Sequence, residues 1–266
     1  MPTVPINGAT IHYSERGRPD APAIILLHGF PLDARMWAAQ LEPLAQSSRV
    51  IAPDFRGFGQ SPPAGPFTLE QLADDVHALA TQLRLGRFVL AGLSMGGYVS
   101  FAYAKKYPDT LRALILLDTQ AGADTPEAKQ NRDRLIAAAK EHGAKPIADA
   151  MQQKMLPEST VKNRPQVVRD LRQMMDNANP ETLAYALTAM RDRPDHTATL
   201  PTLKVPTLIL VGEQDAITPP DVARKMQEKI PSAQLKIITG AGHMSPMEQP
   251  AQVNTALTDF LHHLPD

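Results

Sequence analysis

The sequence predicts an α/β fold with a mostly parallel, doubly wound sheet of eight strands. Short apolar runs alternate with helical segments in both halves of the chain, and polar residues or glycines follow where these runs stop. A strand, a helix and a second strand in such a chain form a right-handed crossover, so neighbouring strands run parallel and helices cover both faces. The alternation stops between residues 119 and 200, where only helical patterns occur.

The sequence predicts six strands before residue 119. Residues 4–13 predict a β-hairpin, because Asn7 and Gly8 in its middle accept the positive φ angles of a tight turn. The next four strands are mostly apolar, as strands buried on both faces are, and lie at residues 23–27, 49–53, 88–91 and 111–117. Apolar residues at helical spacing predict the intervening helices, at residues 36–45, 68–85 and 98–107.

The remainder of the chain contains a helical stretch and then two more strands. Four helices are predicted to open with a proline preceded by a capping residue, at Thr125-Pro126, Lys145-Pro146, Arg164-Pro165 and Asn179-Pro180. Strands return at residues 207–211 and 234–238, and a helix at 251–264 closes the chain. We therefore expect residues 1–118 and 201–266 to form the α/β core. Residues 119–200 form a helical cap, inserted after the sixth strand and lying over the carboxyl edge of the sheet.

Composition limits the classes of function. The 266 residues include no cysteine, which excludes disulfides, a thiol nucleophile and thiolate metal sites. The formal net charge of -1 gives no reason to expect nucleic acid or a membrane surface as a partner. The N-terminus has no leader-like pattern, so a cytoplasmic location is expected. No cofactor is expected, and no metal, since the histidines lack ligand spacing on a shared face. Whether the protein is a monomer or a homo-oligomer stays open.

The strongest chemical signal is the sequence Gly92-Leu93-Ser94-Met95-Gly96, which joins a predicted strand to a predicted helix. Such a turn is tight enough to strain the serine backbone, and only residues without bulk fit two positions on either side. Its hydroxyl is then held above the sheet edge, in front of a helix N-terminus. Ser94 is therefore the predicted nucleophile.

A serine hydroxyl needs a base, and the base needs a group that orients it. His243 lies among glycines after the last strand and Asp215 follows the strand before it, so both belong to the carboxyl edge of the sheet. Asp118 also ends a strand and is the alternative acid. Six other histidines are expected on surface segments without a functional role, namely His12, His77, His142, His196, His262 and His263.

The chain resembles the α/β-hydrolase superfamily, and within it the capped carboxylesterases, enol-lactonases and cofactor-free haloperoxidase-like (perhydrolase) enzymes. The resemblance covers nearly all of the chain outside the cap and rests on five motifs, HGFPLDARMW at 28–37, APDFRGFGQS at 52–61, GLSMGGY at 92–98, GEQD at 212–215 and GAGHMSPMEQP at 240–250. It implies the α/β-hydrolase fold, with Ser94 as nucleophile, His243 as general base and Asp215 as the residue that orients the imidazole.

The resemblance also implies an oxyanion hole made of two backbone N–H groups, those of Phe30 and Met95. Pro31 has no N–H, so the donor in this turn has to be Phe30. His28 and Gly29 are expected to shape the turn, His28 through side-chain hydrogen bonds. Residues considered for the pocket wall are Trp37, which is otherwise a core residue, and three cap methionines, Met151, Met155 and Met190.

Other residues have structural interpretations. Asp54 and Arg56 are expected to hold their glycine-punctuated loop together by hydrogen bonds and an ion pair.

Acidic and basic residues of the cap are nearly balanced in number, which argues against a dedicated subsite for a multiply charged substrate.

The predicted function is hydrolysis of small to medium carboxylic esters or lactones through an acyl-enzyme, with perhydrolysis as a side activity. The partner is thus a small-molecule ester. Serine at position 94 separates the chain from relatives of this fold that form an alkyl-enzyme ester on a carboxylate. Two alternatives remain: an enol-lactonase or carbon–carbon bond hydrolase of aromatic degradation with the same triad, and a ligand receptor on the same fold. Substrate identity, chain-length preference and stereoselectivity are left open by the sequence.

Overall fold

The computed structural model describes residues 2–265 and contains the eight-stranded sheet expected from the sequence. Its strands are β1 Thr3–Ile6, β2 Ala9–Arg16, β3 Ala23–Leu27, β4 Arg49–Pro53, β5 Phe88–Leu93, β6 Leu111–Leu117, β7 Thr207–Gly212 and β8 Ala233–Ile238. They are ordered β1-β2-β4-β3-β5-β6-β7-β8. The β1–β2 and β2–β4 pairs are antiparallel and all the others are parallel. The predicted fold class is confirmed.

Helices cover the sheet and fill the segment between β6 and β7. They are α1 Ala38–Ala45, α2 Leu69–Gln82, α3 Met95–Lys106, α4 Pro126–His142, α5 Lys145–Met155, α6 Glu158–Asn163, α7 Pro165–Asp176, α8 Pro180–Arg191, α9 Pro220–Lys229, α10 Ser245–Glu248 and α11 Pro250–His262. The sequence reading missed α6, α9 and α10. Helices α6 and α10 are only one to two turns long, and α9 buries only two apolar side chains, so none of the three has an extended apolar stripe.

The N-terminal caps of the helices match the predicted caps only in part. At α2 the Thr68 hydroxyl accepts from the Gln71 amide while the Gln71 side chain accepts from the Thr68 amide, which forms a capping box. Of the four proline starts predicted between residues 119 and 200, Thr125 and Asn179 cap their helices through side-chain oxygens. No side-chain cap is made at the other two helices: the N-cap residue of α5 is Ala144, one position before the predicted Lys145, and that of α7 is Arg164. Neither an alanine methyl group nor a guanidinium has an acceptor atom to offer the exposed amides.

The core consists of two apolar layers, one on each face of the sheet. Side chains alternate between the faces along each strand, so Ile25 and Leu27 of β3 pack in one layer and Ile24 and Leu26 in the other. Strands β3 and β5 are buried along their whole length. Burial on both faces explains why these strands read as continuous apolar runs in the sequence.

Helices α5 to α7 contact the loop that follows β8. The Met155 carbonyl accepts from the His243 amide at 2.9 Å, the Thr160 hydroxyl donates to Glu248 at 2.6 Å, and the Arg164 guanidinium donates to the Glu248 carbonyl. These contacts bring this part of the helical segment to the carboxyl edge of the sheet. The division of the chain into a core and a cap stays a prediction. Within residues 2–265 no helix has the length and apolar character needed to cross a membrane.

Candidate active site

Ser94 occupies a strained turn between β5 and α3. Its φ of 53° and ψ of -111° lie in a region that residues with a side chain rarely adopt. The turn is closed by two hydrogen bonds, from the Ser94 amide to the Leu117 carbonyl at 2.9 Å and from the Thr119 hydroxyl to the Ser94 carbonyl at 2.8 Å. A Cβ atom at Gly96 would lie 2.5 Å from the Leu27 carbonyl oxygen, so this position admits only glycine without a shift of the backbone.

Three side chains that are far apart in the sequence meet at this turn. His243 Nε2 is 2.9 Å from Ser94 Oγ, and His243 Nδ1 is 2.8 Å from Asp215 Oδ2. Asp215 accepts three further hydrogen bonds, from the amides of Ile217 and Thr218 and from the Thr218 hydroxyl at 2.7 Å. These donors fix the carboxylate, and the carboxylate fixes the imidazole. The arrangement can remove a proton from the Ser94 hydroxyl and return it to a leaving group.

The buried charges of this group depend on one another. Burial opposes the charged form of His243, but the charge and hydrogen bond of Asp215, together with the charges of Asp118 and Glu248, outweigh burial and raise the pKa of His243 above its ordinary value. Burial likewise acts to raise the pKa of Asp215, and the nearby imidazole, with the hydrogen bonds from His243 and Thr218, holds that pKa below its ordinary value. Asp215 therefore remains a carboxylate that favours a proton on Nδ1 of His243.

Asp118, the alternative acid, lies beside this group and contacts different partners. Its Oδ1 accepts from the Gly212 amide at 2.8 Å and its Oδ2 from the Ser245 hydroxyl at 2.5 Å. Burial, and then the charge of Asp215, raise the pKa of Asp118 well above its ordinary value. Among the described residues it is Asp215, and not Asp118, whose carboxylate bonds the His243 ring.

The turn after β3 faces Ser94 from the other side. His28 is fully buried, and its Nε2 accepts from the Phe55 amide at 3.0 Å, so its Nδ1 carries the proton and donates to the Gly29 carbonyl at 3.0 Å. Burial lowers the pKa of His28, which keeps the ring neutral. The expected hydrogen-bonding role of His28 agrees with these contacts.

Met95 is the first residue of α3, where a backbone N–H has no acceptor within the helix.

A cavity of about 160 Å³ opens onto Ser94, His243 and Phe30. Its wall is mostly apolar and includes Leu135, Met151, Leu187, Met190 and Ile217. Two expected wall residues are absent from the lining of this cavity. Trp37 and Met155 have no exposed surface and pack in the apolar layer on one face of the sheet. A larger hollow of about 600 Å³ lies elsewhere, against Arg87, Asp109 and Lys204, and contains none of the three reactive side chains.

Glu248 is a residue of the site that the sequence reading missed. Its Oε1 accepts from the amides of Gly242 and Met244, at 2.9 and 3.0 Å, and these two residues flank His243. Its side chain is buried, and its Oε2 accepts from Thr160 on α6. Glu248 thereby holds the loop that carries the imidazole. Its place in the GAGHMSPMEQP motif, five residues after His243, was the available signal.

Two histidines expected on the surface are buried. His12 is 3% exposed and lies 2.8 Å from Asp54, while His196 is 5% exposed and stacks on Phe101. The segments around both histidines are polar enough to predict exposure. It is the packing of neighbouring elements that buries the two side chains.

Asp54 and Arg56 act as structural residues with separate partners. Asp54 accepts from the Ala34 and Gln60 amides, and Arg56 forms a two-bond ion pair with Asp75 of α2. The expected ion pair thus joins the loop to a helix and does not join Asp54 to Arg56. Within the described range 2–265, no group of three or more His, Asp or Glu side chains is arranged to hold a metal ion.

Comparisons with known proteins extend over almost the entire chain. A family model described as alpha/beta hydrolase fold matches residues 22–250. The structure is similar to that of a thermophilic esterase from Thermogutta terrifontis with malate bound, at 44% identity, a TM-score of 0.96 and 99% coverage of both chains. It is also similar to the enol-lactonase from Burkholderia xenovorans LB400, at 30% identity, a TM-score of 0.92 and coverage of 98% of this chain and 100% of that one. A 3-oxoadipate enol-lactonase from Acinetobacter baylyi is 28% identical over 256 residues, which are 96% of this chain and 94% of that protein.

Proposed function

This chain belongs to the alpha/beta hydrolase family, and on that basis we propose that it hydrolyses small carboxylic esters through an acyl-enzyme on Ser94. One observation carries the proposal. The Ser94 hydroxyl, the His243 imidazole and the Asp215 carboxylate form a continuous hydrogen-bonded chain, 2.9 and 2.8 Å per link, at the end of a mostly apolar cavity. A hydroxyl polarised in this way attacks acyl carbon atoms.

The reaction proceeds in two halves. His243 Nε2 takes the proton of Ser94 Oγ as this oxygen attacks the ester carbonyl, and the imidazolium then gives the proton to the departing alcohol. In the second half His243 takes a proton from water, the hydroxide attacks the acyl-enzyme, and the proton returns to Ser94 as the carboxylic acid leaves. Asp215 stabilises the imidazolium in both halves. The net reaction converts an ester and water into a carboxylic acid and an alcohol.

The oxyanion of each tetrahedral intermediate needs donors that are already in position. The N–H of Met95 follows the nucleophile at the N-terminus of α3, and Phe30 lies in the turn across the cavity from it. We assign the oxyanion hole to these two amides. By analogy with measured cases, each contributes about 3 kcal/mol to lowering the barrier.

The cavity volume favours short substrates. A volume of about 160 Å³ lies below the roughly 300–1,000 Å³ of typical small-molecule pockets. Residues of α4, α5 and α8 supply much of the wall, which supports the assignment of residues 119–200 as a cap over the site. Acetate and butyrate esters should therefore be better substrates than long-chain esters.

A second candidate reaction uses the same residues on a cyclic ester. The structural likeness to the enol-lactonase of B. xenovorans favours it. In a lactone the acyl and alcohol parts are joined, so the leaving enolate or alcohol stays attached to the acyl-enzyme until water attacks.

The test compares release of p-nitrophenol from p-nitrophenyl acetate and butyrate by the wild type, Ser94→Ala and Ser47→Ala. Ser47 is an exposed serine beyond α1 and serves as the matched control. Ser94→Ala should lower kcat by at least about 10⁴-fold, since loss of the nucleophile leaves only binding and the oxyanion hole. Undiminished release by Ser94→Ala would overturn the proposal. Turnover of an enol-lactone with negligible turnover of both esters would favour the second candidate.

A further inference from the structure

The cavity beside Ser94 is electrostatically one-sided. Three of its lining residues are polar and lie on the helices between β6 and β7, namely Asn131, Arg132 and Lys154. Two of these carry positive charge. None of the described residues that line the cavity is an aspartate or glutamate. An ester with no charge gains nothing from two cations in an otherwise apolar wall, so this asymmetry needs an explanation.

Arg132 is held by a buried ion cluster behind the wall. Asp124 accepts from Arg132 Nε through Oδ2 and from Arg193 Nη1 through Oδ1 at 2.6 Å, and its side chain is 3% exposed. Arg193 also donates to the Gly122 and Met190 carbonyls and stacks on the Tyr98 ring at 4.2 Å. Burial acts to raise the pKa of Asp124, but the two guanidinium groups hold it below its ordinary value, so the carboxylate stays charged. Two guanidinium groups share one carboxylate, which leaves the cluster with a net charge of +1.

The surplus charge is directed at the cavity. Arg132 Nη1 contacts the Met190 sulfur at 3.6 Å, and Met190 is part of the cavity wall. A thioether is a weak acceptor, so the N–H groups of Nη1 retain most of their capacity to bind an anion. Lys154 adds a second cation on the same wall, and its ammonium makes no ion pair with any residue in the range 2–265.

We propose that this wall binds a carboxylate that the substrate carries at a distance from its scissile carbonyl. Arg132 Nη1 donates to that carboxylate, Lys154 supplies a second positive charge, and Asp124 with Arg193 positions the guanidinium. The inference rests on the proposed ester hydrolysis and narrows its substrate class to short esters with one free carboxylate. Guanidinium suits this role because its donors are planar, fixed and always charged.

The test uses a pair of esters that differ only in charge. Monoethyl succinate carries a carboxylate where ethyl 4-methylpentanoate carries an uncharged isopropyl group of similar size, and a pH-stat at fixed ionic strength follows the hydrolysis of both. We expect the wild type to prefer the succinate by about thirtyfold in kcat/KM, through a lower KM, as expected for one charge-assisted hydrogen bond and one further exposed positive charge. Arg132→Gln should remove about tenfold of this preference and Lys154→Gln about threefold. Comparing this ratio between the wild type and a variant cancels the intrinsic reactivities of the two esters.

Arg191→Gln is the matched control. Arg191 lies on α8, pairs with Asp133 and Asp192 at the surface, and does not line the cavity. It should keep the wild-type ratio. A wild type without preference, or the same ratio in Arg132→Gln and Lys154→Gln as in Arg191→Gln, would overturn the carboxylate site. If Arg132→Gln fails to fold, the exposed Lys154→Gln decides alone.

The two proposals fail in different ways. If the wild type hydrolyses neither ester faster than Ser94→Ala does, ester hydrolysis is refuted. Calorimetric titration of the wild type and Lys154→Gln with succinate then still tests the anion site. Succinate binding that weakens in Lys154→Gln supports the site, and equal or absent binding refutes it.

Discussion

Replacement of Asp215 by asparagine tests the orientation of the imidazole most directly. Asp215 Oδ1 accepts from two backbone amides that cannot move, those of Ile217 and Thr218. The asparagine oxygen therefore has to take the Oδ1 position, which turns its NH₂ group toward His243 Nδ1. A donor at that place requires Nδ1 to be the acceptor, so the ring proton moves to Nε2. Nε2 then faces Ser94 Oγ with a proton and cannot receive another.

The size of the effect follows from this change of tautomer. We expect kcat to fall by about 10⁴-fold, as for the analogous change in a serine protease. That factor corresponds to about 5.4 kcal/mol of barrier, at roughly 1.36 kcal/mol per decade. Hydrolysis of p-nitrophenyl acetate at saturating substrate measures it, and thermal unfolding checks that the variant is folded.

Asp118→Asn is the control for this prediction. Asp118 accepts from the Gly212 amide and the Ser245 hydroxyl, and an asparagine can accept from the first and donate to the second, because a hydroxyl can reverse its role. We expect a change in kcat of less than about tenfold, since no bond to the imidazole is altered. A large loss in Asp118→Asn together with near-normal activity in Asp215→Asn would show that the orienting acid has been misassigned.

Two further predictions concern the pH profile and the turn around Ser94. Because only a neutral His243 can accept the Ser94 proton, kcat/KM should rise with pH and level off. Burial lowers the pKa of His243, but the carboxylates around it, Asp215 first, raise it by more, so the midpoint should lie above 6.5. A profile that is flat from about pH 5 to 8 would contradict this, since an unperturbed imidazole titrates near 6.5. Gly96→Ala should lower the free energy of unfolding by about 1–3 kcal/mol, because its Cβ would meet the Leu27 and His28 carbonyl oxygens at 2.5 and 2.9 Å. Urea denaturation measures this against Gly122→Ala, whose Cβ meets nothing within 4 Å, and equal stabilities would refute the steric argument.

Much of the fold was predictable because burial leaves a regular trace in the sequence. Strand β3 reads as five apolar residues in a row since both of its faces are covered, and α2 shows its capping box and apolar stripe. Elements without such a trace were missed, as α6 shows with one buried residue in six. Burial of His12 and His196 was missed for the same reason, since both lie in segments whose own composition is polar.

The strained turn at Ser94 was predictable because one short segment contains the whole pattern. A side chain at either glycine of the Ser94 turn would meet backbone atoms of the turn itself or of the neighbouring strand. The need for glycine is therefore visible in a short stretch of sequence. For the acid, the GEQD motif favoured Asp215 over Asp118. Which of the two carboxylates reaches the ring nitrogen of His243 depends on distances at the sheet edge, and the structure places Asp215 there.

The sequence by itself determined the fold class, because hydrophobic period and glycine spacing are properties of the chain. It also predicted the kind of chemistry and the three reactive residue types at the ends of the strands. Only the tertiary structure decided how charge is distributed around the cavity. Acidic and basic residues between positions 119 and 200 are nearly balanced in number. Folding, however, places Asp124 behind the wall with Arg193 and leaves Arg132 and Lys154 on its surface. A balance of charges along a chain says nothing about their balance across a surface, since pairing in space joins residues at any separation in sequence.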